Sequence, residues 1–152
     1  MSAEESSLLA GTEEDTERAG WDVGRTLGAS DVVYLVGDLG AGKTCFARGL
    51  ARGVGAAPRE VASPTFALVH EYAAADGRIV LRHLDLYRVE DRAGDLEAIG
   101  VPDALAGAPA AVEWPGQAVR RLLPATIEVV IERRQGDEVR RIRVTRPAAP
   151  VP

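Results

Sequence analysis

Apolar residues along this chain follow two spacings, one typical of helices and one typical of buried strands. Helical spacing comes first, with apolar or small residues at Thr16, Ala19, Gly20, Val23 and Leu27. It predicts an amphipathic helix to about Leu27, with Thr12 and the three acidic residues after it forming the N-terminal cap. The next run, Asp31 to Val36, is apolar and rich in β-branched residues, which predicts a buried strand. A helix followed by such a strand favours an α/β architecture.

Predicted helices and strands continue to follow one another along the rest of the chain. Helices are predicted at residues 43–52, 93–99, 102–105 and 117–122. Strands are predicted at residues 66–72, 78–87, 109–112, 126–132 and 138–145. The turns at 74–77 and 135–137 should each join an antiparallel pair, and the second pair should form the edge of the sheet. The run at 109–112 is short, small and apolar, which favours a parallel strand of the core.

These elements predict a single α/β domain of three layers with a mixed parallel and antiparallel sheet. A chain of 152 residues is long enough for one substantial core. Residues 1–11 are small, acidic and aperiodic, so we expect them to be disordered, and we expect the tail at 147–152 to be disordered too. The predicted domain therefore spans residues 12–146.

Composition and charge narrow the setting in which the protein works. Hydrophobic residues make up 46% of the chain, but no apolar run approaches the length of a membrane span. The single cysteine, Cys45, excludes an internal disulfide and suits a reducing compartment. A net charge of −5 argues against an unaided grip on nucleic acid. We therefore expect a cytoplasmic protein with no membrane contact.

The predicted strand at 31–36 leads into the sequence Gly37-Asp38-Leu39-Gly40-Ala41-Gly42-Lys43-Thr44. This is the glycine-rich P-loop pattern, whose backbone N–H groups and following helix N-terminus surround phosphate oxygens. Lys43 would reach the β- and γ-phosphates, and the Thr44 hydroxyl would take one Mg²⁺ position. Lys43 is also the only lysine of the chain. A dinucleotide fingerprint is excluded, because Cys45 stands where that pattern requires Gly or Ala. The motif predicts nucleotide binding.

A second candidate lies in Ser63-Pro64-Thr65-Phe66, which interrupts regular structure between the P-loop helix and the next strand. Nucleotide switches place a hydroxyl there as a sensor of the γ-phosphate and Mg²⁺. Thr65 is the candidate for that role, and a plain proline turn explains the same residues equally well.

Two acidic residues compete for the metal side of the site. Asp85 ends the predicted strand at 78–87, and Glu113 follows the apolar run at 109–112. A carboxylate at the C-terminal end of a core strand beside a P-loop is placed to hold Mg²⁺ or its waters. From the residues alone both stay open, and a surface carboxylate is the ordinary alternative for each.

Taken in chain order, these segments resemble the bacterial TsaE family (formerly YjeE), P-loop ATPases required for threonylcarbamoyladenosine formation in tRNA. The P-loop alone is common to many families, whereas the ordered combination is specific. The matching segments lie between residues 12 and 133 and comprise Thr16 with Gly20, residues 37–44, Ser63 to Phe66, Glu71-Tyr72, His83 to Arg88 and Val112 to Pro115.

The resemblance implies that residues 12–146 form a P-loop ATPase domain with weak ATP hydrolysis of its own. It also implies an assembly with the TsaD and TsaB proteins, which transfers the threonylcarbamoyl group onto adenosine 37 of tRNAs reading codons that begin with A. The ATP cycle would regulate or reset that complex, and contact with tRNA would be indirect.

The resemblance further implies ATP and Mg²⁺ as ligands and assigns roles to individual residues. Thr44 and Glu113 would serve Mg²⁺, Asp85 would be a base or water-positioning carboxylate, and Thr65 would belong to the switch loop. Trp114 would pack near the site. Nucleotide contacts are implied for Gly37, Asp38, Leu39, Gly40, Ala41, Gly42, Lys43, Thr44, Cys45 and, near the adenine, Thr16 and Arg133.

Two other functions compete with this interpretation. A GTP-dependent switch is disfavoured because the chain contains no asparagine, so the usual Asn-Lys-x-Asp guanine-reading motif cannot exist. A small-molecule kinase would need an acceptor pocket and usually an arginine-bearing lid. A chain of this length shows no obvious insertion that would supply them. Both histidines, His70 and His83, are interpreted as strand residues with satisfied ring nitrogens rather than catalysts.

Overall fold

A computed structural model describes residues 3–38, 40–58, 69–87, 107–134 and 136–147. In that part of the chain the helices are α1 (Glu13–Gly24), α2 (Lys43–Gly53) and α3 (Gln117–Leu122). The strands are β1 (Glu4–Ala10), β2 (Val32–Val36), β3 (Val69–Ala73), β4 (Ile79–Asp85), β5 (Ala110–Glu113), β6 (Ile127–Arg133) and β7 (Arg140–Arg146). None of the helices described is both long and apolar enough to cross a membrane.

All seven strands form one sheet in the order β1-β7-β6-β2-β5-β4-β3. The centre is parallel, since β2 lies between β5 and β6 and β4 pairs with the far side of β5. The outer pairs are antiparallel: β3 on β4, β7 on β6 and β1 on β7. The predicted mixed sheet is therefore confirmed, with the P-loop strand β2 at its middle.

The two faces of the sheet bury separate apolar clusters. Alternate residues of β2 divide between them, Val33 and Leu35 on one face and Val32 and Tyr34 on the other. The first cluster packs against α1 and α2, and the second packs against α3. This alternation gives the three layers that the sequence predicts.

The N-terminal segment is where the structure departs most from expectation. Residues 1–11 were expected to be disordered, but Glu4–Ala10 form β1 and pair with β7 along its whole length. Only Ala10 of β1 is buried, so the strand has no alternating apolar pattern to reveal it. Backbone hydrogen bonds to β7, rather than apolar burial, therefore define this strand.

The same strand corrects the prediction for the sheet edge. Strands β6 and β7 form the expected antiparallel pair, but β1 lies outside β7 and β6 lies inside, against β2. Strand β6 is thus an interior strand, and its alternate residues Ile127, Val129 and Ile131 are buried in the cluster beneath α1 and α2.

Element ends differ from the predicted ones by a few residues. Helix α1 begins at the expected cap, where the Thr12 hydroxyl accepts from the Asp15 N–H at 3.0 Å, but it ends at Gly24 rather than Leu27. Leu27 still packs on the core from the turn beyond the helix, which explains why it fits the helical spacing. The predicted helices at 93–99 and 102–105, residues 66–68 and the tail from 148 lie outside the described residues.

Helices α1 and α2 approach so closely that their backbones touch. A Cβ atom added at Gly20 of α1 would lie 2.1 Å from the Phe46 carbonyl oxygen, and one at Gly49 of α2 would lie 1.9 Å from that of Glu17. One turn further along, Gly24 and Gly53 repeat the pattern. Because α2 begins at the P-loop, this contact positions the loop against α1.

We predict that Gly20→Ala destabilises the protein although alanine favours helices. The gain in helix propensity is about 1 kcal/mol, whereas forcing a methyl group into backbone contact should cost about 3 kcal/mol or more. Asp22→Ala, on the exposed side of the same helix, is the matched control and should change stability by less than about 0.5 kcal/mol. Urea denaturation measures both, and an unchanged midpoint for Gly20→Ala would refute the close contact.

Candidate functional site

The loop between β2 and α2 has the backbone of a phosphate cradle. Gly40 and Gly42 adopt positive φ angles of 80° and 115°, which other residues rarely reach. Gly42 is the N-cap of α2 and offers no side-chain hydrogen bond to the first turn. The N–H groups at this helix end are therefore left without a side-chain cap, which suits an anionic ligand. Leu39, in the same loop, lies outside the described residues.

Lys43 is buried at the start of α2, with 5% of its surface exposed. Its ammonium donates to the Gly37 carbonyl at 2.5 Å and lies 3.5 Å from the ring centroid of Trp114. Burial lowers the pKa of Lys43, while the charges of Glu113, Asp85 and Asp38 act in the opposite direction. A cation is thus held at the loop among three nearby carboxylates.

The two acidic residues whose roles the sequence does not decide lie side by side on neighbouring strands. Asp85 of β4 and Glu113 of β5 are register partners at the C-terminal ends of parallel strands. Glu113 is buried and its Oε2 lies 2.7 Å from His83 Nε2, with both side chains about one-tenth exposed. Asp85 is exposed, and its Oδ1 accepts from the Tyr87 N–H at 3.1 Å. One carboxylate is therefore fixed in the interior and the other faces solvent.

Trp114 follows Glu113 in an unusual conformation. Its φ of 58° is the only positive value at a non-glycine residue in the part of the chain described. A bulky side chain in that region is costly and persists only where its surroundings hold it. Here the ring lies over the Lys43 ammonium and 4.9 Å from the Tyr87 ring. Trp114 therefore packs at the loop, as predicted.

The remaining predicted residues surround the loop at different depths. Thr44 is exposed at the start of α2, and Cys45 is buried beneath it. Thr16 is fully buried, donates its hydroxyl to the Thr12 carbonyl at 3.3 Å and directs its methyl group towards Gly42. Thr65 lies outside the described residues.

Arg133 is the last residue of β6 and lies beside the P-loop. It lines a cleft of about 560 Å³ together with Gly37, Asp38, Gly40 and Ala41 of the loop. Its Nε donates to the Asp137 carbonyl at 2.8 Å, so the turn after β6 fixes its orientation. The two residues predicted to lie near the adenine, Thr16 and Arg133, are both brought to the P-loop.

Sequence reasoning missed one residue of this region. Arg140 of β7 donates through Nε to the Ala41 carbonyl at 2.8 Å. Its neighbours in sequence include several other arginines, and nothing in the pattern sets it apart. Only the register of β7, which places Arg140 beside Arg133 of β6, brings it to the loop. His83 is, as expected, a strand residue with a satisfied ring nitrogen.

A glycine loop between the central strand β2 and helix α2, with carboxylates at the ends of neighbouring parallel strands, defines an α/β protein of the P-loop type. A family model described as "Threonylcarbamoyl adenosine biosynthesis protein TsaE" matches residues 10–142. The chain belongs to the TsaE family, whose role is in tRNA threonylcarbamoyladenosine biosynthesis.

Individual relatives agree with this assignment. The tRNA threonylcarbamoyladenosine biosynthesis protein TsaE of Bacillus subtilis (strain 168) is 42% identical over 116 residues, covering 76% of this chain and 69% of the relative. The protein of the same name from Treponema pallidum (strain Nichols) is 41% identical over 132 residues, covering 86% and 93%. The crystal structure of Bacillus subtilis YdiB matches with a TM-score of 0.73 and 28% identity, covering 97% of this chain and 89% of that one.

The lowered pKa of Lys43 predicts a pH-dependent contribution to stability. Between its value in the folded protein and the ordinary 10.5 of the unfolded chain, the unfolded state binds more protons. The contribution of this residue to the free energy of unfolding therefore increases as pH rises through that window. Urea denaturation of wild type and Lys43→Met from about pH 7 to about pH 10 isolates it, because other titrations largely cancel in the difference. A wild-type advantage that shrinks as pH rises would contradict the burial of this cation.

Proposed function

We propose that this chain binds and hydrolyses ATP with Mg²⁺ and that this cycle regulates or resets a TsaB–TsaD transferase complex in tRNA threonylcarbamoyladenosine formation. The observation that carries the proposal is the buried Lys43 ammonium at a P-loop, with Glu113 and Asp85 at the adjacent sheet edge. Family membership supplies the pathway, and these residues supply the chemistry.

The loop accounts for phosphate binding. Backbone N–H groups of Gly40, Gly42 and the first turn of α2 would take the phosphate oxygens, whereas the Ala41 N–H donates to the Asp38 carbonyl at 3.0 Å. An ammonium has three donors, and only one of those of Lys43 is used by Gly37. The others would serve the β- and γ-phosphates, so the same residue would both tie the loop together and neutralise the nucleotide.

The residues present also fit Mg²⁺ rather than an all-protein metal site. No group of three or more His, Cys, Asp or Glu side chains that could hold a metal ion occurs among the described residues. Magnesium usually needs only one or two protein ligands beside nucleotide phosphates and water. The exposed Thr44 hydroxyl and the Glu113 carboxylate would form such a set. When bound, the ion would neutralise charge developing on the transferred phosphate.

The carboxylates of Glu113 and Asp85 would have different roles in hydrolysis. Glu113 is held by His83 at 2.7 Å, so its orientation is fixed before any ligand arrives and suits a metal ligand or a ligand of metal-bound water. Asp85 is exposed and would orient the attacking water. Thr65 stays a predicted sensor of the γ-phosphate.

The proposed partners are the TsaD and TsaB proteins, with tRNA reached only through their complex. The side of the site at Asp85 and Tyr87 is open, with Tyr87 49% exposed. Where a P-loop lies open to solvent, bulk water weakens the electrostatic interactions that stabilise the transferred phosphate, so hydrolysis is slow until that water is excluded. Covering by a partner would supply that exclusion, which supports an ATPase that is weak alone.

We predict that Lys43→Ala abolishes ATP binding, whereas Glu113→Gln mainly impairs turnover. The glutamine keeps the shape of the carboxylate but not its charge, so Mg²⁺-dependent hydrolysis should fall about 100-fold while affinity for ATP without Mg²⁺ changes by less than about threefold. Glu5→Gln, an exposed charge on β1, is the matched control. Calorimetric titration and phosphate release measure the two effects. Full turnover in Glu113→Gln would remove Glu113 from the metal site.

For the biological role, we expect depletion of the protein to lower threonylcarbamoyladenosine in bulk tRNA. Re-expression of wild type should restore it and Lys43→Ala should not, because the latter lacks the phosphate-binding cation. Mass spectrometry of tRNA nucleosides measures the modification. An unaltered nucleoside profile after depletion would reject the pathway, and phosphoryl transfer from ATP to a small metabolite would instead favour a kinase.

A further inference from the structure

Arg140 links the sheet to the P-loop through the peptide between Ala41 and Gly42. Its Nε donates to the Ala41 carbonyl at 2.8 Å. The side chain passes close to Gly42, since a Cβ added at Gly42 would lie 3.0 Å from both Cδ and Nε of Arg140. The absence of a side chain at Gly42 therefore makes room for this contact as well as permitting its φ of 115°.

The hydrogen bond fixes the direction of the whole peptide unit. In a trans peptide the C=O and the following N–H point in opposite directions. A carbonyl of Ala41 that faces Arg140 therefore turns the N–H of Gly42 away from Arg140. If that carbonyl turned round, an oxygen with partial negative charge would replace a donor in the loop.

The position of Arg140 in the sheet makes this contact stiff. Strand β7 is paired on both sides, so that Arg140 lies between Ala10 of β1 and Arg133 of β6. The backbone of Arg140 is thus held at the last rung of two ladders. A side chain anchored in this way can hold a loop peptide in one orientation, which a flexible surface arginine cannot do.

We propose that Arg140 is a positioning residue of the nucleotide site: by holding the Ala41 carbonyl on its own side, it presents the Gly42 N–H to the phosphates. The proposal rests on the proposed binding of ATP. It adds that one N–H donor of the phosphate-binding loop depends on a residue of β7, the second strand from the sheet edge. That residue is about a hundred positions away in sequence.

Two substitutions of equal length separate the hydrogen bond from the charge. In Arg140→Gln the side-chain nitrogen takes the place of Nε and can still donate to Ala41, whereas in Arg140→Met a methyl group takes that place. Both lose the positive charge. We expect Arg140→Met to bind MgATP about tenfold more weakly than Arg140→Gln, the effect of one hydrogen bond. Arg141→Met, on the opposite face of β7, is the control for charge and should stay within about twofold of wild type.

The amide resonance of Gly42 in the free protein provides a second measurement that does not depend on ATP. It should shift in Arg140→Met and keep its wild-type position in Arg140→Gln and Arg141→Met. Equal affinities for Gln and Met, or an unmoved Gly42 resonance in Arg140→Met, would overturn the inference. Failure of wild type to bind ATP would instead reject the proposed function, and the resonance would still test the role of Arg140.

A crystal structure of wild type with Mg²⁺ and a non-hydrolysable ATP analogue decides the matter even if Arg140→Met does not fold. The proposal expects Gly42 N within hydrogen-bond distance of a phosphate oxygen while Arg140 still contacts the Ala41 carbonyl. A reversed peptide, with the Ala41 oxygen on the phosphate side, would show that Arg140 does not set its direction.

Discussion

The backbone contact between α1 and α2 is the constraint on which the site depends. Gly20 and Gly49 allow the two helices to meet at distances that any side chain would prevent. Since α2 begins at Lys43, the depth at which α2 lies against α1 sets the depth of the P-loop. It also brings Thr16 of α1 against Gly42. The P-loop is thus held from the helical layer as well as from the strand that precedes it.

The sheet supplies the other half of the arrangement. Parallel pairing of β4 with β5 puts Asp85 and Glu113 side by side, and β5 pairs in parallel with β2, the strand that leads into the loop. The carboxylates of Asp38, Asp85 and Glu113 lie near the Lys43 ammonium, where burial lowers the pKa of Lys43 and the three negative charges raise it. His83 on Glu113 and the Trp114 ring on Lys43 show that the interior groups are already oriented in the free protein.

Residue spacing and residue type predicted those elements of the fold that the local sequence determines. The P-loop, the Thr12 cap, helix α3 and the parallel strand β5 all follow from spacing and residue type. Strand β1 could not be predicted, because its pairing with β7 is a tertiary contact that leaves no apolar period. Arg140 and the φ of Trp114 were missed for the same reason, since both depend on which strands become neighbours. The roles of the site residues, Thr44, Thr65, Asp85 and Glu113 among them, remain predictions.

The solitary lysine has a practical meaning for chemical work on this protein. Apart from the chain terminus, the only primary amine lies at the phosphate loop, and its lowered pKa increases the fraction that is neutral and nucleophilic. Acylating labels, amine-coupled supports and amine-directed crosslinkers therefore have a single side-chain target, and its burial beneath Trp114 makes the reaction a report on whether the loop is open. A bound nucleotide would protect that amine, so the extent of acylation would measure occupancy without a fluorescent probe.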